Sequence, residues 1–209
     1  MTIFISFDGP KSVGKSTLIG VAHEQLIQEG ILAEVRVEKL MISPRIRNVL
    51  DELFALHRLG PSEETDSAIA EQMLQARMEI TSQNLLHSEV EVVLLDRWYP
   101  SDAVFRQYLD ADAIIAKNIQ AGVLIPDIVF AVVCSPEVSW QRAHARERNL
   151  DSKVIFEFAA HELSNTNFFD TARKQKWHVL ETDIRTPESL AAEVVQSIKM
   201  LNRMTPSHI

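Results

Sequence analysis

Ile3-Phe4-Ile5-Ser6-Phe7-Asp8-Gly9-Pro10-Lys11-Ser12-Val13-Gly14-Lys15-Ser16-Thr17-Leu18-Ile19 sets the architecture of the chain. Its first five residues are β-branched or aromatic and read as a buried strand. Residues 9 to 16 fit G-x-x-x-x-G-K-[ST] without a mismatch. From Ser16 onward apolar residues recur at helical spacing, at Leu18, Val21, Ala22 and Leu26, and the pattern closes at Gly30. Strand, glycine-bearing turn and helix in this order make a phosphate cradle, because the turn aims backbone N–H groups and a helix N-terminus at anionic oxygens. The expectation is that Gly9, Pro10, Lys11, Ser12, Val13, Gly14, Lys15, Ser16 and Thr17 hold ATP. Within that set Lys15 reaches the β- and γ-phosphates, and the Ser16 hydroxyl sits on Mg²⁺.

Composition narrows the class. A chain of 209 residues is long enough to bury a substantial core and is expected to form a single domain over 1–209. Hydrophobic content of 46% and charged content of 24% are ordinary for a soluble globular protein. The net charge of −8 supplies no basic field for nucleic acid, so any phosphate site must be a local focus of arginines. The one cysteine, Cys134, excludes an intramolecular disulfide and a cysteine-rich zinc site. It ends the apolar run Val129–Cys134 and reads as a small buried hydrophobe. There is no leader pattern and no apolar run of spanning length, so a cytoplasmic protein without a membrane partner is expected.

Strand-like runs recur at 2–7, 31–37, 90–95, 127–134 and 176–181. Helical patterns fill roughly 16–29, 44–58, 65–87, 101–120, 136–148, 152–174 and 187–202. Alternation of this kind implies an α/β fold, a five-stranded parallel sheet flanked by helices on both faces. In such sheets ligands bind at the carboxyl ends of the strands, so the polar groups that follow them share one crevice.

Two further constellations can act there. Asp96-Arg97 follows the run Val92-Val93-Leu94-Leu95 directly. Asp96 there can hold Mg²⁺ through water or take a proton from an attacking oxygen, and the Arg97 fork can clamp an anionic acceptor. Arg142 and Arg146 stand at i and i+4 on one helix face, with Arg148 beyond. Arginines over a triphosphate neutralise charge on the transferred phosphoryl group and exclude water. Arg77, in Met73-Leu74-Gln75-Ala76-Arg77-Met78, needs a partner, and either a ligand or an internal salt bridge would satisfy it. The histidines show no metal-ligand spacing, and Trp140 and Trp177 read as packing residues.

Taken together these motifs resemble the thymidylate kinase family of P-loop nucleoside monophosphate kinases. Phe7-Asp8-Gly9 stands where the family has Phe-Glu-Gly, and Asp96-Arg97-Trp98 with Ser101 where it has Asp-Arg-Tyr and a later serine. Pro126-Asp127, Ser135-Pro136-Glu137-Val138, Arg142 and Arg146 follow the family's Pro-Asp, Asp-Pro-Glu-Val and lid arginines in order and spacing. Thr186-Pro187-Glu188-Ser189-Leu190 matches the start of the last helix. The resemblance implies transfer of the ATP γ-phosphoryl group to a nucleoside monophosphate, most simply dTMP, with Lys15, Asp96, Arg97, Arg142 and Arg146 as catalytic groups. It implies that Ser16 and Asp96 serve the metal, and that Asp8, Lys11, Met73, Arg77 and Arg97 face the acceptor. A lid at about 142–155, an acceptor-binding helical region at about 38–87 and a homodimer through helices are implied as well.

Departures from the family fall on the acceptor side. Lys11 replaces an acid that touches the acceptor sugar, Arg36-Val37-Glu38-Lys39-Leu40 replaces Arg-Glu-Pro-Gly, and Met73 replaces the aromatic that stacks on thymine. Phe105-Arg106-Gln107 stands where Tyr-Gln is usual. Stacking of a base on an aromatic is worth about 1–3 kcal/mol. The alternatives are therefore a P-loop kinase for a nucleoside or other small hydroxyl-bearing metabolite or drug, and a nucleotide-binding regulator.

Overall fold

The computed structural model describes residues 2–145 and 157–204. Along the chain run β1 (Ile3–Asp8), α1 (Lys15–Gln28), β2 (Ala33–Val37), a one-turn helix α2 (Glu38–Met41), α3 (Pro44–Leu59) and α4 (Glu63–Ile80). After a π-helical turn at Thr81–Leu85 come β3 (Val92–Asp96), α5 (Tyr99–Phe105), α6 (Ala111–Gln120), β4 (Ile128–Val133), α7 (Pro136–Ala145), α8 (Phe158–Lys174), β5 (His178–Glu181) and α9 (Pro187–Met204). The strands form one parallel sheet in the order β2-β3-β1-β4-β5. This is the expected α/β architecture, with β1 and its following loop at the centre.

Alternation along the strands explains why both faces are covered. Ile5, Phe7, Leu94, Phe130 and Val132 point to the side where α1 and α9 bring Leu18, Ala22, Leu26, Leu190, Val194 and Ile198. Val93 and Leu95 point to the other side, where α3 to α6 supply Ile46, Leu50, Ile69, Leu74, Ala103 and Ile114. Ala131 and Val133 meet Phe168 and Ala172 of α8 there. Each Val, Leu, Ile or Phe side chain among them contributes about 1.5–3 kcal/mol on burial, and each alanine less. Phe7 and Phe130 stack at 5.4 Å between ring centres, directly beneath the turn that leaves β1. Asp127 takes the Phe4 amide at 2.8 Å and fixes the entry of β4 beside β1.

The structure differs from the sequence reading in the helices. The expected helix over 101–120 is two helices, because Arg106 turns extended at φ −72° and ψ 129° and Asp110 caps a new start by accepting from the Ala113 amide. The helix expected from 65 begins at Glu63 under a capping box between Ser62 and Thr65. No described helix is long and apolar enough to cross a membrane.

Candidate active site

The turn from β1 to α1 is built on left-handed backbone. Gly9 has φ +155°, and a Cβ there would come within 2.1 Å of the Val132 carbonyl oxygen, so β4 leaves room for glycine alone. Ser12 at φ +60° and Gly14 at φ +98° continue the curl, and Gly14 is the residue that opens α1. Val13 is fully buried and pegs the loop to the core, while Lys11, Ser16 and Thr17 are exposed. The Lys15 ammonium is buried and donates to the carbonyls of Gly9 at 3.0 Å and Pro10 at 2.6 Å. Burial, with the positive charge of Arg97 added, holds Lys15 well below the usual lysine range.

Across the crevice, Asp96 ends β3 and lies 3.4 Å from the Ser16 hydroxyl, which donates to its Oδ2. Arg97 adopts φ +71°, a conformation rare for a non-glycine residue. Its guanidinium donates to the Gly9 carbonyl at 2.8 Å and to Ser101 Oγ at 3.2 Å, and lies over the Phe105 ring at 5.7 Å. Ser101 Oγ also accepts from the Gly9 amide at 3.3 Å. Asp8 is fully buried, and its Oδ1 accepts from the amides of Trp98 and Ser101 at 3.0 Å each. Burial pushes its carboxyl up in spite of those bonds. The phosphate loop and the Asp96–Ser101 turn are thus one bonded unit, and Asp8 faces the turn's backbone.

Arg142 of α7 closes the loop from the other side. It donates to Thr182 Oγ1 at 3.1 Å, to the Thr182 carbonyl at 3.0 Å and to the Val13 carbonyl at 3.5 Å. Arg146, and the lid segment beyond Ala145 up to 155, lie outside the described residues.

Arg77 on α4 is completely buried and makes the internal salt bridges that its apolar setting calls for. Nε meets Glu38 at 2.6 Å and Nη1 meets Asp102 at 3.1 Å. Although burial opposes its charge, these two carboxylates hold the guanidinium above its ordinary range. Burial pushes Glu38 up despite Arg77. Met73, one turn before, is packed into the core. Sequence reading missed Glu38, Asp102, Thr182 and Arg106. Asp102 and Arg106 carry an i,i+4 acid–base spacing that could have exposed them; Glu38 and Thr182 carry no such signal.

A triphosphate loop bonded to a carboxylate and an arginine, on a parallel sheet, defines the class: a P-loop phosphotransferase of the ATP-dependent nucleotide kinase type. Comparison with known proteins narrows it. The family model for thymidylate kinase matches residues 7–194, and the chain belongs to the thymidylate kinase family. Thymidylate kinase from Leptospira interrogans is 31% identical over 164 residues, covering 76% of this chain and 75% of the relative. That from Bacillus licheniformis is 30% identical over 162 residues, covering 70% and 72%. The crystal structure of thymidylate kinase from Ehrlichia chaffeensis superposes with a TM-score of 0.63 at 18% identity, over 95% of this chain and 98% of that one, and shows the same fold.

Proposed function

We propose that the chain transfers the γ-phosphoryl group of Mg·ATP to dTMP, giving dTDP and ADP, as a cytoplasmic enzyme. The observation that carries this is the joined geometry of the two halves: Ser16 on the donor loop reaches Asp96 at 3.4 Å, and Arg97 on the acceptor turn reaches Gly9 of that loop at 2.8 Å. An oxygen of the acceptor phosphate forms the new bond to phosphorus, the bond to the β–γ bridging oxygen breaks, and its electron pair leaves with ADP. Acceptor and donor are both anionic, so the protein's task is positioning and charge stabilisation.

Ser16 and Asp96 offer a hydroxyl and a carboxylate, the hard oxygen donors that suit Mg²⁺, which keeps its remaining positions for phosphate and water. When bound, the metal supplies positive charge against the phosphate oxygens. Lys15 exchanges its two carbonyl partners for donor phosphate oxygens, aided by Gly9 to Thr17 of the loop. Arg97 clamps the acceptor phosphate. Arg142 and Arg146 belong to a lid at about 142–155, and the region at about 38–87 receives the acceptor beside Lys11, Met73 and Arg77, with Asp8 behind it. A homodimer through helices goes with this reading; the exposed Val49, Leu56 and Leu59 of α3 support it.

The test is ADP release from Mg·ATP against a panel of nucleoside monophosphates, nucleosides and other small alcohols. dTMP-dependent release is expected, and Lys15→Ala should lower it by about 10²–10³-fold or more. Asp96→Asn should lose activity that partly returns as Mg²⁺ is raised, because an ionised phosphate needs no general base. Turnover of a nucleoside or another alcohol instead, with a loss in Asp96→Asn that Mg²⁺ does not mend, replaces the proposal with a hydroxyl kinase. No acceptor-dependent release overturns both.

A further inference from the structure

Arg106 sits in a segment where the chain departs from its family, and the reaction as described makes no use of it. In the structure it is the fourth member of a buried chain of alternating charge, Glu38–Arg77–Asp102–Arg106–Asp66. Arg106 Nη1 donates to Asp66 Oδ1 at 3.1 Å, and its Nε lies 3.2 Å from Asp102 Oδ1, an ion pair without hydrogen-bond alignment. Its guanidinium also lies over the Phe54 ring at 5.8 Å. Asp66 Oδ2 takes the Tyr108 amide at 2.9 Å, which fixes the loop between α5 and α6. The other oxygen of Asp102 holds Arg77 Nη1 at 3.1 Å. The five side chains are each about nine-tenths buried or more. Asp66 and Arg77 are eleven positions apart on α4, hence about three turns along one face, and Asp102 and Arg106 bridge the two.

We propose that Arg106 is a positioning residue for the acceptor site: with Asp66 behind it, it fixes Asp102, and through Asp102 it sets the orientation of the Arg77 guanidinium. This rests on the nucleoside monophosphate reading of the site. Three of Arg77's five N–H groups lie on the two nitrogens held by Glu38 and Asp102, and only Nη2, buried and without a hydrogen-bond partner, is left over. A guanidinium held at Nε and Nη1 can present Nη2, with its two N–H groups, in one fixed direction, whereas a loose one would sweep through several rotamers. Buried ion pairs add little stability over apolar side chains of the same volume, so a chain of them points to orientation.

Steady-state kinetics of Arg106→Ala, Arg106→Lys and Asp66→Asn, with thermal unfolding of each, tests it. Arg106→Ala should raise KM for the acceptor by about 10–100-fold with KM for ATP unchanged. Arg106→Lys, which keeps the charge and loses the fork, should fall between it and wild type. Asp66→Asn should raise the acceptor KM less. An acceptor KM unmoved in folded variants, or both KM values moving together with a falling Tm, overturns the proposal. If Arg106→Ala does not fold, the two conservative variants decide by the same criterion. Wild type that turns over no nucleoside monophosphate sinks the functional reading and this inference together. An active wild type with unmoved variants sinks the inference alone.

Discussion

Arg97 occupies left-handed backbone at φ +71°, where a Cβ carries a steric cost of about 1–2 kcal/mol. The turn tolerates it because the Arg97 amide donates to the Phe7 carbonyl at 3.1 Å and Asp8 takes the next amide along. Strain of this kind at a residue proposed to clamp the acceptor phosphate separates folding from function. Arg97→Gly and Arg97→Ala delete the same guanidinium, but only glycine relieves the backbone. Arg97→Gly is therefore expected to unfold at higher temperature than Arg97→Ala, by up to about 1 kcal/mol, with phosphoryl transfer lost in both. Equal Tm values would mean that the strain no more than offsets the extra chain entropy of glycine in the unfolded state. The strand-end position and charge of Asp96-Arg97 were readable in the sequence. The positive φ was not, because nothing in Leu95-Asp96-Arg97-Trp98 marks it; it follows from Asp8, far away in the chain.

At the scale of elements, local signals and tertiary demands split cleanly. The Ser62 N-cap of α4 is a local signal: its hydroxyl accepts from the Thr65 amide at 3.2 Å, and Thr65 answers the Ser62 amide at 3.3 Å. Ser62→Ala should destabilise the protein by about 1 kcal/mol in urea unfolding with the slope unchanged. A change well below that would mean that the His57–Thr65 contact, 2.7 Å, carries this end of the helix hairpin instead. The central strands β1, β3 and β4 were legible because parallel strands buried on both faces read as nearly unbroken apolar runs, whereas the edge strands β2 and β5 carry charged residues among their apolar ones. The break between α5 and α6 was not, since no glycine or proline marks residues 106–110, and the loop is held open by Asp66 of α4, which accepts from the Tyr108 amide. The donor loop of the site lies within one βα unit and was legible residue by residue. The ion-pair cluster proposed to face the acceptor was less so, because Glu38, Arg77 and Asp102 meet from three separate elements.

Taken as a whole, the molecule ties its last strand to its last helix by a charge knot at Glu193, which pairs with His178 of β5 and with Arg185. Partial burial works against the Glu193 charge, yet the bonds and charges of Arg185 and His178 hold its carboxyl below the ordinary glutamate value of 4.5. A carboxyl lowered on folding adds stability above its unfolded value, and that stability is lost as pH falls through the folded one. Glu193→Gln should thus lower Tm by roughly 1–4 °C at pH 7, and the gap should close as pH falls below the ordinary glutamate value of 4.5. A gap that persists in acid would assign the effect to packing. The order β2-β3-β1-β4-β5 has a consequence in time. Ile5 is paired with Leu94 and Ile128, and α1 rests on α9. A ribosome adds about 5–20 residues per second. The nucleotide loop therefore stays without its neighbouring strands until β3 and β4, made after it, have emerged. ATP capture by a growing chain would mark the emergence of β4.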